Sequence, residues 1–188
     1  MFAGLISRER PASAWCDPDA VLAALAPYSP QAPRDIWAGD RQLLVQVATR
    51  TGARSAAIYR HADSGVAVVF WGRLDNRPDL IGQLGAELTA SDDELIALAW
   101  LKWGELCPEH LVGDFALAVA SPKTGAVFLA RDVMGVKPLF YRADADGVFF
   151  ANSAAAFKPL KLGALTPDRD WMARFLLEVS YSHDGTAY

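Results

Sequence analysis

The chain has 188 residues, enough for one domain or for one domain with a short trailing segment. Hydrophobic residues make up 52% and charged residues 21%, an ordinary globular balance that supplies a full core. The 18 Lys and Arg stand against 22 Asp and Glu, and no basic stripe is visible, which argues against a nucleic-acid partner. The apolar runs fall far short of the ~20 residues of a membrane span. The start has a short apolar run followed by charges, not a secretory signal, so a cytoplasmic location is expected. The two cysteines, Cys16 and Cys107, lie far apart and form no disulfide framework.

Residues 2–7 read as a buried strand. Asp17 caps a predicted helix with Pro18 at its first position, running to Leu25. Residues 28–34 hold two prolines, with Pro27 just before them, and are predicted as a loop. Apolar runs over 43–48, 55–59 and 66–71 have strand character, with Ser64-Gly65 as a turn between the last two. The period then changes. Residues 77–84 read as a helix with Pro78 near its start, and Asn76 is the expected cap. Ser91-Asp92-Asp93-Glu94 forms a capping box ahead of a strongly apolar helix that ends near Gly104. Residues 105–111 are a short connecting turn or helix.

Strands return over 115–120, 127–130, 139–141 and 148–151, separated by turns. A last helix is predicted over 168–177, and residues 180–188 form a polar tail without core pattern. Strands, then helices, then strands imply two largely antiparallel sheets with helices packed on them. His61, His110 and His183 lack metal-ligand spacing, so no metal site is expected. No Gly-rich phosphate loop occurs.

Three stretches carry a family resemblance. The first is Gly72-Arg73-Leu74-Asp75-Asn76-Arg77-Pro78-Asp79-Leu80. The second is Ser91 to Ile96, followed by Leu101-Lys102-Trp103-Gly104-Glu105-Leu106 and Gly113-Asp114-Phe115. The third is Phe128-Leu129-Ala130-Arg131-Asp132, then Gly135-Val136-Lys137-Pro138-Leu139-Phe140-Tyr141. In this order they resemble the N-terminal glutaminase-type domain of the asparagine synthetase family. The resemblance implies an α+β fold: a four-layer αββα sandwich of the N-terminal-nucleophile hydrolase type. In active members a Cys exposed at the chain start attacks the glutamine amide, with its own amine as base.

The same resemblance marks what is missing. Phe2 stands where the nucleophilic Cys is expected, so no catalytic residue is assigned. A bulky Phe2 also disfavours removal of Met1. Trp71-Gly72 stands where active members carry Asn-Gly, whose amide and backbone N–H hold the oxyanion. Gly72 keeps an N–H, but an indole does not copy a short amide. Asp92 matches the aspartate that receives the glutamine α-amino group; its plain alternative is a carboxylate in the first turn of a helix. Trp71, Gly72 and Asp92 are thus the expected remnant of a glutamine pocket. No arginine in 43–50 clearly matches the carboxylate clamp, and neither Arg41 nor Arg50 is well placed. Pro33-Arg34-Asp35 is the nearest remnant of an expected His-Arg-Gly-Pro-Asp segment. Cys16 is considered as a substitute nucleophile and read instead as a structural thiol; Cys107 is read as packing. Arg131 and Asp132 are expected to form an ion pair or a turn contact beside Gly135, or to face a partner domain.

The expectation is a pseudo-glutaminase domain over residues 1–160, with 161–188 as linker and start of a truncated or missing C-terminal synthetase domain. It would serve as scaffold of an ATP-dependent amide-forming enzyme similar to lasso-peptide cyclases or β-lactam synthetase. No cofactor is expected in this chain; ATP and Mg belong, by resemblance, to the synthetase domain. That domain is the expected partner, with a possible homodimer. The alternatives are an active glutamine-hydrolysing amidotransferase domain and a free-standing amino-acid-binding module.

Overall fold

The computed structural model describes residues 1–9, 11–28, 31–48, 58–160 and 166–177. Among the described residues, nine strands form two sheets. The first has the order β2 (Arg34–Ala38), β3 (Gln42–Val47), β1 (Phe2–Ser7), β9 (Gly147–Ala151), β8 (Phe140–Ala143). The second has the order β4 (Tyr59–Arg60), β5 (Ala67–Leu74), β6 (Gly113–Ser121), β7 (Ala126–Arg131). Every described pairing is antiparallel.

Side chains alternate across a strand, and both sheets are apolar on both faces. In the first sheet Ala3, Leu5, Leu43, Val45 and Phe149 pack with α1 (Pro18–Leu25) through Val21, Leu22 and Leu25. Their neighbours Phe2, Leu44 and Phe150 point the other way and meet Ala67, Val69, Ala116, Ala118 and Ala120 of the second sheet. Small alanines on one sheet leave room for two phenyl rings on the other. The far face of the second sheet carries Val68, Phe70, Leu117 and Val119. These pack on Leu80 of α2 (Arg77–Leu84) and on Leu95 and Ile96 of α3 (Asp92–Trp103). The result is the expected four-layer αββα sandwich.

Local chemistry explains the helix starts. Asp17 accepts the Asp19 N–H at 3.0 Å ahead of Pro18. Ser91 Oγ accepts the Glu94 N–H at 3.1 Å, as the capping box requires. Asp92, Asp93 and Glu94 add negative charge where the helix dipole favours it. Asn76 departs from its expected role. It precedes α2, yet its side chain makes no cap bond. Instead its amide donates to His110 O at 2.9 Å and accepts from Val112 N at 3.0 Å. An amide has both a donor and an acceptor, and the 110–112 turn uses both.

Strand β2 was not expected. It continues directly from the proline-rich segment at Arg34, so Pro33-Arg34-Asp35 is the entry to an edge strand. The predicted strand over 55–59 begins outside the described residues, as does the tail over 180–188. Of the segment 161–188, residues 166–177 are described. They hold α4 (Arg169–Leu176), started by Asp168, which accepts the Trp171 N–H at 2.9 Å. None of the residues of α4 is buried.

Candidate functional site

Phe2 begins the central strand of the first sheet and is fully buried. It pairs with Gln46 of β3, and its ring lies between the sheets. Its N–H donates to Asn152 Oδ1 at 2.8 Å, and Asn152 N–H donates back to Phe2 O at 3.1 Å. Met1 is buried with it. The Met1 α-amine donates to Val47 O at 2.7 Å, and burial pulls it down to about 5. The Asn152 amide also touches Met1 Sδ at 3.6 Å. The start of β1 is therefore an apolar plug held by one buried asparagine.

Trp71 and Gly72 lie near the end of β5, paired with Ala116 and Phe115 of β6. The Trp71 indole packs against both the cluster that holds Met1 and the cluster that holds Phe2. Lys137 Nζ sits 4.6 Å above its ring, a cation–π contact. Gly72 has a sufficient structural reason to be glycine. A Cβ there would lie 2.1 Å from Asp114 O, so no side chain fits against the neighbouring strand.

Asp92 is not joined to Phe2 or Trp71 by any described bond or ring contact. It opens α3 and forms an ion pair with Arg77, the first residue of α2. The other guanidinium nitrogen of Arg77 donates to Ala90 O at 2.6 Å. Both side chains are largely withdrawn from water, with relative exposures of 21% for Arg77 and 16% for Asp92. Arg41 lies at the far end of the first sheet, where its backbone bonds Ser7 and its Nη1 donates to Arg8 O at 3.0 Å. Arg50 falls outside the described residues.

Neither thiol is poised to react. Burial, with Asp17 adding to it, pushes Cys16 up to about 11. Burial alone pushes Cys107 to about 11. Of the two expected arrangements at Arg131 and Asp132, the turn contact is present and no ion pair to Asp132 is described. Asp132 is buried and accepts N–H bonds from Val136 at 2.9 Å, Lys137 at 3.0 Å and Phe115 at 3.3 Å. Burial pushes its carboxyl up, but these donors together outweigh burial and hold it below the usual range. Gly135 closes the turn at φ 65°, with the Arg131 guanidinium against it.

Sequence reasoning missed Asn152, Arg77 as the partner of Asp92, and Gln46. Gln46 is buried, and its Oε1 has no hydrogen-bond partner among the described residues. The alternation of Gln42, Leu44 and Gln46 was the available signal, since it aims all three at the other sheet. Gln42 in fact bridges to Ala126 O at 2.9 Å. A cleft of about 370 Å³ opens at the start of β6, with Val112, Asp114, Arg131 and Met134 in its wall. Phe2, Trp71 and Asp92 are not part of its lining. Among the described residues no group of acidic, histidine or cysteine side chains is arranged to hold a metal. No described helix is long and apolar enough to cross a membrane.

Two face-to-face antiparallel sheets between helix layers are the architecture of N-terminal-nucleophile hydrolase-type amidotransferases. Glutamine phosphoribosylpyrophosphate amidotransferase from B. subtilis, complexed with ADP and GMP, superposes with a TM-score of 0.63 at 15% identity, over 84% of this chain and 43% of that one. A structure described as the allosteric regulatory enzyme of purine biosynthesis gives 0.61 at 16% identity, over 83% and 42%. These likenesses concern the fold. The family model for a glutamine amidotransferase domain matches residues 41–159, and the chain belongs to that family. Its sequence is 32% identical over 109 residues to asparagine synthetase [glutamine-hydrolyzing] 3 of Bacillus subtilis, covering 56% of this chain and 18% of that protein. A putative asparagine synthetase [glutamine-hydrolyzing] 2 of Methanocaldococcus jannaschii is 28% identical over 108 residues, covering 55% and 21%. The match therefore spans about a fifth of the length of these relatives. The protein is a glutamine amidotransferase domain of the asparagine synthetase-like kind.

Proposed function

We propose that this domain does not hydrolyse glutamine and acts as a scaffold of an ATP-dependent amide-forming enzyme, of the lasso-peptide cyclase or β-lactam synthetase kind. The observation that carries this reading is Phe2, fully buried between the sheets at the chain start, where the family resemblance places the nucleophile. Hydrolysis by this fold needs a thiolate at that point and a neighbouring free amine as base. A phenyl ring supplies neither. Trp71 in place of a short amide removes an oxyanion donor as well. Cys16 and Cys107, both at about 11, carry on the order of one thiolate per thousand molecules at pH 8.

An enzyme that closes a ring uses an amine already present in its substrate and has no use for released ammonia. Loss of the glutaminase chemistry with retention of the sandwich fits that economy. The sequence carries no Gly-rich phosphate loop that would hold ATP with Mg. Those ligands belong to a synthetase domain in this reading. The match to about a fifth of each relative supports treating the domain as one part of a larger enzyme.

The test is amide formation by the full-length protein with its carboxylate substrate and ATP. Equal rates with and without glutamine or ammonium are expected. A rate that depends on glutamine would overturn the reading.

A further inference from the structure

We infer that the junction of α2 and α3 is a cation site that the protein fills from within, with Arg77 occupying the place of a ligand amine. The inference rests on reading Asp92 as the remnant of the amine-receiving carboxylate, but its geometry stands by itself. Two acceptors, the Asp92 carboxylate and the Ala90 carbonyl, converge on one guanidinium. The carboxylate is on the first residue of α3, the carbonyl is on Ala90 just before its cap Ser91, and the cation is on the first residue of α2. Such a pair of oxygens is what a primary ammonium or a guanidinium needs: one negative charge and one neutral acceptor.

A carboxylate this far removed from water needs a cation beside it. The chain provides that cation in cis, at an effective concentration no free amino acid matches. Asp92 is therefore closed to glutamine while Arg77 is present. The consequence is specific: removing the guanidinium leaves a preformed cradle that takes a small cation from solution.

The test uses the whole chain and four variants, R77A, R77M, R77K and R77A/D92N, with methylguanidinium and glutamine as probes. The wild type is expected to give no saturable heat with either probe. R77A is expected to melt about 2–4 °C lower. Methylguanidinium in the millimolar range is expected to raise its melting temperature saturably, as binding to the folded state must. The rise should be absent in the wild type and in R77A/D92N, and R77K should need no rescue. If R77A does not fold, R77M keeps the aliphatic stem and serves for the same titration. An R77A or R77M protein whose loss no cation restores makes the pair an ordinary helix-to-helix tie and overturns the inference. Saturable glutamine binding by the wild type, lost in D92A, overturns it too. Binding of that kind without glutamate release would leave the non-hydrolysing reading intact, so the two failures are distinguishable.

Discussion

Asn152 and Phe2 hold each other through two hydrogen bonds, one from each backbone N–H, at 2.8 and 3.1 Å. The first of these places a side-chain oxygen on a buried N–H at the edge of the interlayer core. Asn152→Ala removes that oxygen and leaves the Phe2 N–H without a partner. The expected loss is about 1–3 kcal/mol, the cost of a buried donor left unsatisfied. Urea unfolding measures it, and a change near zero would mean that the contact is not formed in solution.

Phe2→Ala is expected to cost about 3–5 kcal/mol, because its ring has no solvent-exposed route to relax and leaves a cavity between the sheets. Phe2→Cys carries a different message. It places a thiol at the start of β1 but leaves Trp71 in place and Asp92 tied to Arg77. No glutamate release is expected from it. Turnover by that single variant would show that the remaining pocket is intact and that Phe2 alone silences it.

The Asp132 carboxylate stabilises the fold in its charged form, since three backbone N–H groups point at it. Its folded pKa lies below the unfolded value of about 3.9. The sign follows from that direction. The contribution is fully present above the unfolded value and is lost as pH falls through the folded one. Unfolding free energy measured from pH 6 down to pH 2 is expected to drop, and Asp132→Asn should flatten part of that slope at an overall cost. An unchanged slope would remove Asp132 from the account of acid sensitivity.

Both thiols are expected to resist modification in the folded state. At pH 8 a disulfide reagent should label neither Cys16 nor Cys107 at an appreciable rate, and both should react at once in denaturant. The native rate should climb with pH towards about 11. Fast labelling of Cys16 at neutral pH would revive it as a candidate nucleophile.

Much of the sandwich was legible because its strongest elements announce themselves locally. Residues 77–84 and 92–103 carry a helical period with Pro78 and Ser91 at their starts, and both helices form where expected. What was not legible depends on partners distant in sequence. Strand β2 is an edge strand with alternating exposure and three prolines before it, so its local pattern is weak. Asn76 looked like a cap because Asn caps helices in general, but the turn at 110–112 competes for the same amide and wins. Arg77 sits 15 residues from Asp92, and only the meeting of two helix starts brings them together. Gln46 carries no charge and sits in a mostly apolar strand, so nothing local beyond the alternation marks it as a site residue. Phe2, by contrast, needs no distant partner to be placed: it opens the buried strand read at 2–7, and β1 runs over those residues.

The central claim is that this chain does not release glutamate from glutamine, and the direct measurement is that release, from purified protein whose N-terminus is checked by intact mass. The account predicts no glutamate above the uncatalysed background, with Met1 and Phe2 both present. Steady turnover by protein of that mass would contradict it and would require a nucleophile other than the residue at the start of β1.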